Sequence, residues 1–278
     1  MKSDPVLSEH KKKSPGIFEK LSKKIFRIYT NCPLEITNLR LSHRPRFQPG
    51  KCSVLTWSVE FVDAAALASA IDLLLIKKIN DFETSNPSPF ILDCGANIGI
   101  SVLNYKRKYP GSKIIAFEPD PNILPVLKNN IALNNAHEVK IVDAAVWIKK
   151  GTSRFFCEGA DGSKLFSGEN SPGTITVNTI DLADYINQPV DLIKMDIEGA
   201  EFEVISHLKE KMHFVQNFLI ECHVNSDEIG KFSVILDDLN KADFRVSVAV
   251  IGGWSDLLKK PVRIENGFDQ YILVSAWR

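Results

Sequence analysis

Residues 57–61 alternate Trp57, Val59 and Phe61 with Ser58 and Glu60, the two-residue period of a half-buried strand. Over 63–82 the period changes, and Leu67, Ile71, Leu74 and Leu75 fall on one face of a long helix. The turn-rich "TSNPSP" at 84–89 then breaks the chain. Beyond it, apolar runs predict strands at 90–94, 113–118, 139–143, 190–195, 217–222, 244–250 and 270–275. Helical periods near 99–109, 121–134, 199–210 and 228–241 separate several of them. Strands alternating with helices predict a parallel sheet covered on both faces. The last two strands are joined by "GGWSDLLKKPVRIENG", with no clear long helix, and can pair antiparallel at one edge.

Upstream, residues 1–14 are polar and basic. Pro15 then suits a first helical position, followed by Ile17, Leu21, Ile25 and Tyr29 at four-residue spacing, with Phe18 and Phe26 on a neighbouring face. The chain thus divides into an N-terminal extension, 1–86, made of a basic tail, an amphipathic helix, a strand and a helix, and an α/β domain, 87–278. No segment repeats.

Charge changes this picture little. The 278 residues carry 34 basic and 34 acidic side chains, so bulk charge points to neither nucleic acid nor membrane. The first 30 residues hold eight basic against three acidic side chains, so the first helix can lie on an acidic membrane surface or pack against the main domain with its charges in water. The basic "RLSHRPRFQPGK" at 40–51 lacks the aromatic series of a nucleic-acid site and reads as a solvated loop, equally able to meet a phosphorylated or nucleotide-linked sugar. Five scattered cysteines without a C-x-x-C pair argue against a disulfide framework or a zinc site and for a reducing compartment. Lys2 and "SEHKKKSPG" stand where a signal peptide needs apolar residues, and "AAALASAIDLLLI" is too short and too polar to span a bilayer. A cytoplasmic protein is expected.

Candidate chemistry begins at "FILDCGANIGIS", 90–101, a strand running into a glycine turn that opens a helix. Gly95 and Gly99 let the backbone bend close to a ligand, and a helix starting near Ile98 offers N–H groups to an anion. Asp93 would sit at the mouth of the site, useful beside an ammonium or sulfonium group. The next strand ends at Glu118, 23 residues after Gly95, where a carboxylate can accept hydrogen bonds from ribose hydroxyls. These features fit an adenosine-type cofactor. The spacing Asp93-x-Gly95-x-Asn97-x-Gly99 lacks the G-x-G-x-x-G that brings a backbone against a pyrophosphate, which favours S-adenosylmethionine over a nicotinamide dinucleotide. Asp143 can receive the adenine amino group and the backbone of Ala144 can meet the ring edge, or Asp143 merely caps a turn.

In "VDLIKMDIEGAEFEVI", 190–205, Lys194, Asp196 and Glu198 share a face if the strand persists, and ionisable groups at a strand end are costly to bury without a task. "NFLIECHV" ends the fifth strand with Glu221 and His223, also two residues apart. "ILDCGANIGIS", "AFEPDP", "DAAVW", "VNTIDL" and "DLIKMDIEGAEFEVI", in this order, closely resemble the FkbM family of S-adenosylmethionine-dependent methyltransferases over 90–222.

The resemblance implies a class I methyltransferase fold, a Rossmann-like three-layer sandwich whose seven-stranded, mostly parallel sheet has an antiparallel edge strand. It also implies O-methylation of a hydroxyl on a sugar, glycan or secondary metabolite. It makes Asp93, Gly95, Ala96, Asn97 and Gly99 the methionine-side loop, Glu118 with Pro119 the ribose ligand, and Asp143 with Ala144 the adenine contact. Neighbouring fourth and fifth strands would bring Asp196, Glu198, Glu221 and His223 together beside the methyl group. Two mechanisms then compete: His223 or Asp196 as general base, or Asp196, Glu221 and His223 as ligands of Mg²⁺ or Mn²⁺. Lys194 orients a carboxylate or the acceptor, or neutralises Asp196. Residues 15–86 and the insert at 157–173 are the expected walls or lid of the acceptor pocket. The rival readings are a nicotinamide-dependent oxidoreductase and a non-catalytic adenosylmethionine-binding module.

Overall fold

A computed structural model describes residues 33–158, 162–165, 174–225, 229–253 and 268–278. The amphipathic segment expected at 15–29 lies outside these residues. A helix, α1, covers 33–42 and leads into the hairpin β1 (Gly50–Val54) and β2 (Trp57–Phe61), paired antiparallel from Gly50↔Phe61 to Val54↔Trp57. Asp63 then caps α2 (Ala64–Ala70), accepting the N–H groups of Ala65 at 2.7 Å and Ala66 at 3.1 Å. The helix expected to reach 82 stops earlier. It continues as a π-helical stretch, Ile71–Ile76, closed by Lys77 N–H donating to the Asp72 carbonyl, and Lys78 turns left-handed at φ 57°.

The alternating region follows the expected order. Strand β3 (Phe90–Cys94), helix α3 (Ile100–Lys108), strand β4 (Lys113–Phe117), helix α4 (Leu124–Leu133) and strand β5 (Val139–Val142) form one half. The other half comprises β9 (Leu192–Met195), α5 (Glu201–His207), β10 (Asn217–Val224), α6 (Ile229–Lys241), β11 (Arg245–Gly253) and β12 (Gln270–Trp277). The seven-stranded sheet runs β11-β12-β10-β9-β3-β4-β5. Pairs from β10 through β5 are parallel, and β12 is antiparallel to both β10 and β11. The antiparallel strand therefore sits one place in from the edge, because β12 turns back between β10 and β11.

Strand parity divides the core. Ile91, Ile114, Ala116, Leu192 and Leu219 join one apolar cluster under α3, α4 and the N-terminal elements. Leu92, Phe117, Ile193, Met195, Phe218 and Ile220 join the other, under α5 and α6. The described N-terminal elements share the first cluster through Leu34, Val59, Leu67 and Ile71. Two carboxamides, one in α4 and one at its C-cap, seal the free edge of β2. Asn130 accepts from Glu60 N–H at 2.8 Å and donates to the Glu60 carbonyl at 2.9 Å, and Asn134 does the same for Ser58.

Between β5 and β9 lies a second small sheet that the sequence pattern did not predict. It runs in the order β7-β6-β8, from β6 (Ala145–Phe156), β7 (Lys164–Leu165) and β8 (Thr174–Asp181). Irregular register between Ala145 and Gly151 blurs the period of β6. No described helix is long and apolar enough to cross a membrane.

Candidate active site

The carboxyl ends of β3, β4, β9 and β10 open into a cavity of about 440 Å³. Glycine shapes its floor. Gly95 turns left-handed at φ 79°, and a Cβ there would stand 1.9 Å from the Asp196 carbonyl oxygen, so the β3 and β9 ends meet without space for a side chain. Every N–H of the loop has an acceptor within the protein. Gly95 and Ala96 donate to the Phe117 carbonyl, Asn97 to Glu118 Oε2 at 2.9 Å, Ile98 to Asn97 Oδ1 at 2.7 Å and Gly99 to the Ala96 carbonyl. The helix itself begins at Ile100, and these five N–H groups ahead of it are engaged within the fold. A nicotinamide dinucleotide would find no backbone donors for its pyrophosphate among these five groups, whereas adenosylmethionine needs none.

Glu118 lines the cavity beyond β4 and is buried, with Oε2 on Asn97 N–H and Oε1 on Asp120 N–H, both at 2.9 Å. Burial pushes its carboxyl up to about 7, against the two backbone donors. A carboxylate has about four acceptor positions, so these two bonds do not exhaust its accepting capacity. Asp120, unremarked in the sequence, is fully buried beside it. Its Oδ1 accepts from Asn122 N–H and its Oδ2 from the Ser163 hydroxyl at 2.8 Å, tying the insert to the turn after β4. Pro119, Ser163 and Leu165 line the same cavity. The rest of the insert expected as a lid, 159–161 and 166–173, lies outside the described residues.

Two expected cofactor contacts are placed elsewhere. Asp93 is not at the mouth. It has no exposure, its Oδ2 accepts from the Ser101 hydroxyl and its Oδ1 lies 3.6 Å from Lys194 Nζ, so it works beneath the floor. Burial raises its carboxyl, opposed by Lys194. Asp143 is exposed, and Ala145 and Val146, the first residues of β6, line the cavity in place of Asp143 and Ala144, the two residues that separate β5 from β6.

The other end of the cavity is built from ionisable side chains. Asp93, Lys194, Glu221 and His223 extend the parity of Ile91, Leu192 and Leu219, so all project on the α3 side of the sheet. Lys194 is buried and donates to the Gly95 carbonyl at 2.7 Å, with Asp196 Oδ2 at 3.5 Å. Burial would lower its ammonium, but Asp196, Asp93 and Glu221 together hold it above the ordinary value. Glu198 does not continue the strand: β9 ends at Met195, and Glu198 and Gly199 turn left-handed at φ 56° and 102°. The turn still brings Glu198 Oε2 to 3.5 Å from His223 Nε2, with Asp196 Oδ1 at 3.9 Å.

His223 is 1% exposed, between the rings of Phe268 and Tyr271. Burial acts to lower its pKa, yet Glu201 and Glu198 raise it well above the ordinary histidine value. Burial and then Asp196 push Glu221 up to about 8. Asp196, Glu221 and His223 each present a ligand atom within 4.8 Å of the others. The remaining wall is Ala66, Ser69, Asp72, Leu73 and Lys77 from α2 and its π-helical end, facing Ile251 and Tyr271.

Comparison with known proteins agrees with this geometry. The model of the methyltransferase FkbM domain matches residues 93–246. Methyltransferase sdnD of Sordaria araneosa is 31% identical, over 54% of this chain and 73% of that protein. Methyltransferase 1 of Beauveria bassiana is 29% identical, over 63% of this chain and 80% of its own length. The 2-O-methyltransferase NoeI of Sinorhizobium fredii is 27% identical, over 45% of this chain and 60% of that protein.

Proposed function

Because the chain belongs to the FkbM family of S-adenosylmethionine-dependent methyltransferases, we propose that it O-methylates a hydroxyl of a sugar, glycan or secondary metabolite, with Asp196 as general base. The observation that carries this reading is the meeting of Asp196, Glu198, Glu221 and His223 at one end of a cavity whose other end holds Glu118. The name of one relative, a 2-O-methyltransferase, supports the choice of oxygen.

Adenosylmethionine, when bound, supplies an electrophilic methyl group on a sulfonium. Gly95, Ala96, Asn97 and Glu118 would hold it, with Pro119 and Asp120 beside the Glu118 carboxylate. The chain's own task is alignment and proton handling. A neutral hydroxyl attacks poorly, so its proton passes to the Asp196 carboxylate as the new C–O bond forms and the C–S bond breaks. Asp196 is more accessible than Glu198 or Glu201, with a side chain 32% exposed between Lys194 Nζ and His223 Nε2. His223 meets carboxylates at both ring nitrogens, Glu201 at Nδ1 and Glu198 with Asp196 near Nε2, and is therefore placed to donate, so of the two expected bases Asp196 is the better. The α2 wall and the described part of the insert would contact the acceptor. The four described cysteines are free thiols, in keeping with a cytoplasmic location.

A second reading rests on the trio of Asp196, Glu221 and His223. Two oxygens and a nitrogen suit Mg²⁺ or Mn²⁺, and a histidine whose far nitrogen meets a carboxylate is common in metal sites. Turnover lost on exhaustive chelation and restored by Mn²⁺ supports it; turnover unchanged by chelation removes it. The primary test incubates the protein with methyl-labelled donor and a panel of glycosides, nucleotide sugars, polyketide alcohols and lipids, and identifies the product by mass spectrometry. Label on a hydroxyl oxygen is expected. Label on nitrogen or carbon overturns the O-methylation reading, and failure of every acceptor favours a binding module.

A further inference from the structure

Glu201 stands outside the residues that sequence spacing brings to the site, because it belongs to the first turn of α5 and not to a strand end. It has no solvent exposure. Its carboxylate nevertheless has a dense set of partners. Oε1 accepts from Ile197 N–H at 3.0 Å and Gly199 N–H at 3.2 Å and meets His223 Nδ1 at 3.1 Å, and Oε2 accepts from Gly199 N–H at 3.0 Å. These bonds run to two different pieces of the site, the left-handed turn that presents Glu198 and the imidazole at the end of β10.

The geometry points to Glu201 as the positioning residue of this methyl-transfer site: its carboxylate fixes the 197–199 turn and holds Nδ1–H of His223, so that Nε2 faces Asp196 and Glu198. This rests on the O-methylation reading for its catalytic meaning, but not for its structural content. An acceptor-only carboxylate at Nδ1 requires a proton there. Of the two neutral forms of the ring it therefore selects the one protonated at Nδ1, and it adds a negative charge that stabilises the imidazolium. Gly199 is part of the same device. Its φ of 102° is a glycine conformation, and a Cβ would come within 2.9 Å of the Phe268 ring, which itself packs on His223.

Other groups also face the ring: Asp196 and Glu198 from the turn, Glu221 from its own strand, Lys194 through Asp196 and Glu221, and Tyr271 edge-on from β12 with ring centroids 5.2 Å apart. Glu201 differs from all of these in touching Nδ1. Asp196 and Glu198 lie on the Nε2 side, so a carboxamide at 201, able to donate as well as accept, no longer dictates the tautomer of the ring.

The test is a ¹⁵N spectrum of the histidine rings across pH, with the His223 signal assigned by its absence in His223→Gln. In the wild-type protein Nδ1 stays protonated from about pH 6 to about pH 9. In Glu201→Gln the neutral ring shows a mixture of Nδ1- and Nε2-protonated forms. With that change kcat falls about tenfold or more, and KM for adenosylmethionine holds within about twofold. An unchanged tautomer and an unchanged kcat in Glu201→Gln overturn the proposal. If that variant does not fold, the wild-type spectrum decides alone, since a ring protonated at Nε2 with Nδ1 bare contradicts it. The spectrum needs no acceptor, so failure of the O-methylation reading and failure of this inference are separately visible.

Discussion

The two ends of the cavity are built from different materials. At the Glu118 end the backbone does most of the work: five successive loop N–H groups are satisfied within the fold, and Gly95 admits no side chain because β9 lies against it. At the His223 end side chains dominate, and Asp196, Glu198, Glu201, Glu221 and His223 crowd together with Lys194. The first end is a rigid shape with one buried carboxylate. The second is a charged network in which each protonation state depends on its neighbours. Binding of the donor and handling of the proton can therefore be perturbed separately, except at Lys194, which donates to the Gly95 carbonyl while pairing with Asp93 and Asp196.

The largest effect should come from breaking that link. Lys194→Met leaves Asp93 and Asp196 without their buried cation, and loss of one partner of a buried pair typically costs about 3–5 kcal/mol. Chemical denaturation should show this loss, together with weaker donor binding and slower turnover, because both ends move. A substitution confined to the charged end should be narrower. Asp196→Asn keeps the shape and removes the proposed base, so kcat should fall about 100-fold or more in a single-turnover assay while the melting temperature changes little.

The smallest effect is a pH slope. Glu118 and Glu221 have folded-state pKa values raised from 4.5 to about 7 and about 8, so the folded protein binds their protons more tightly than the unfolded chain. The stability they contribute is complete below about pH 4.5 and is lost as pH rises through about 7 for Glu118 and about 8 for Glu221. His223, also raised, acts in the same direction. Denaturation midpoints should therefore decline from about pH 5 to about pH 8, and Glu221→Gln should flatten the upper part of that decline. A slope of opposite sign would mean that the cluster is ionised at lower pH than its burial implies.

The same contrast explains what was legible in the chain. Period-two parity is a local property, so the common face of Lys194, Glu221 and His223 could be read from "IKMD" and "IECHV". The loop glycines and Glu118 were legible for a similar reason, since turn chemistry and the spacing to the next strand end are written in neighbouring residues. Asp93 was expected at the mouth of the site and lies buried at the end of β3, because its surroundings depend on Lys194 from a strand distant in sequence. Asp120 and Glu201 were missed because each acts through a turn that tertiary contacts shape, Ser163 in one case and His223 in the other. The run "TITVNTID" carried a β-branched alternation that marks β8, but its partner β6 is irregular enough to hide the pair. The α2 wall was legible as a helix, whereas the π-helical end that turns Leu73 and Lys77 toward the cavity was not.

The division between the two ends is tested most directly by titrating S-adenosylmethionine calorimetrically into the wild-type protein, Glu118→Gln and Asp196→Asn under one set of conditions. Glu118→Gln should weaken binding about tenfold, the worth of hydrogen bonds to a charged acceptor, while Asp196→Asn should stay within about threefold of wild type. Unchanged affinity in Glu118→Gln, with a large loss in Asp196→Asn, would contradict the assignment of donor binding to the β4 end.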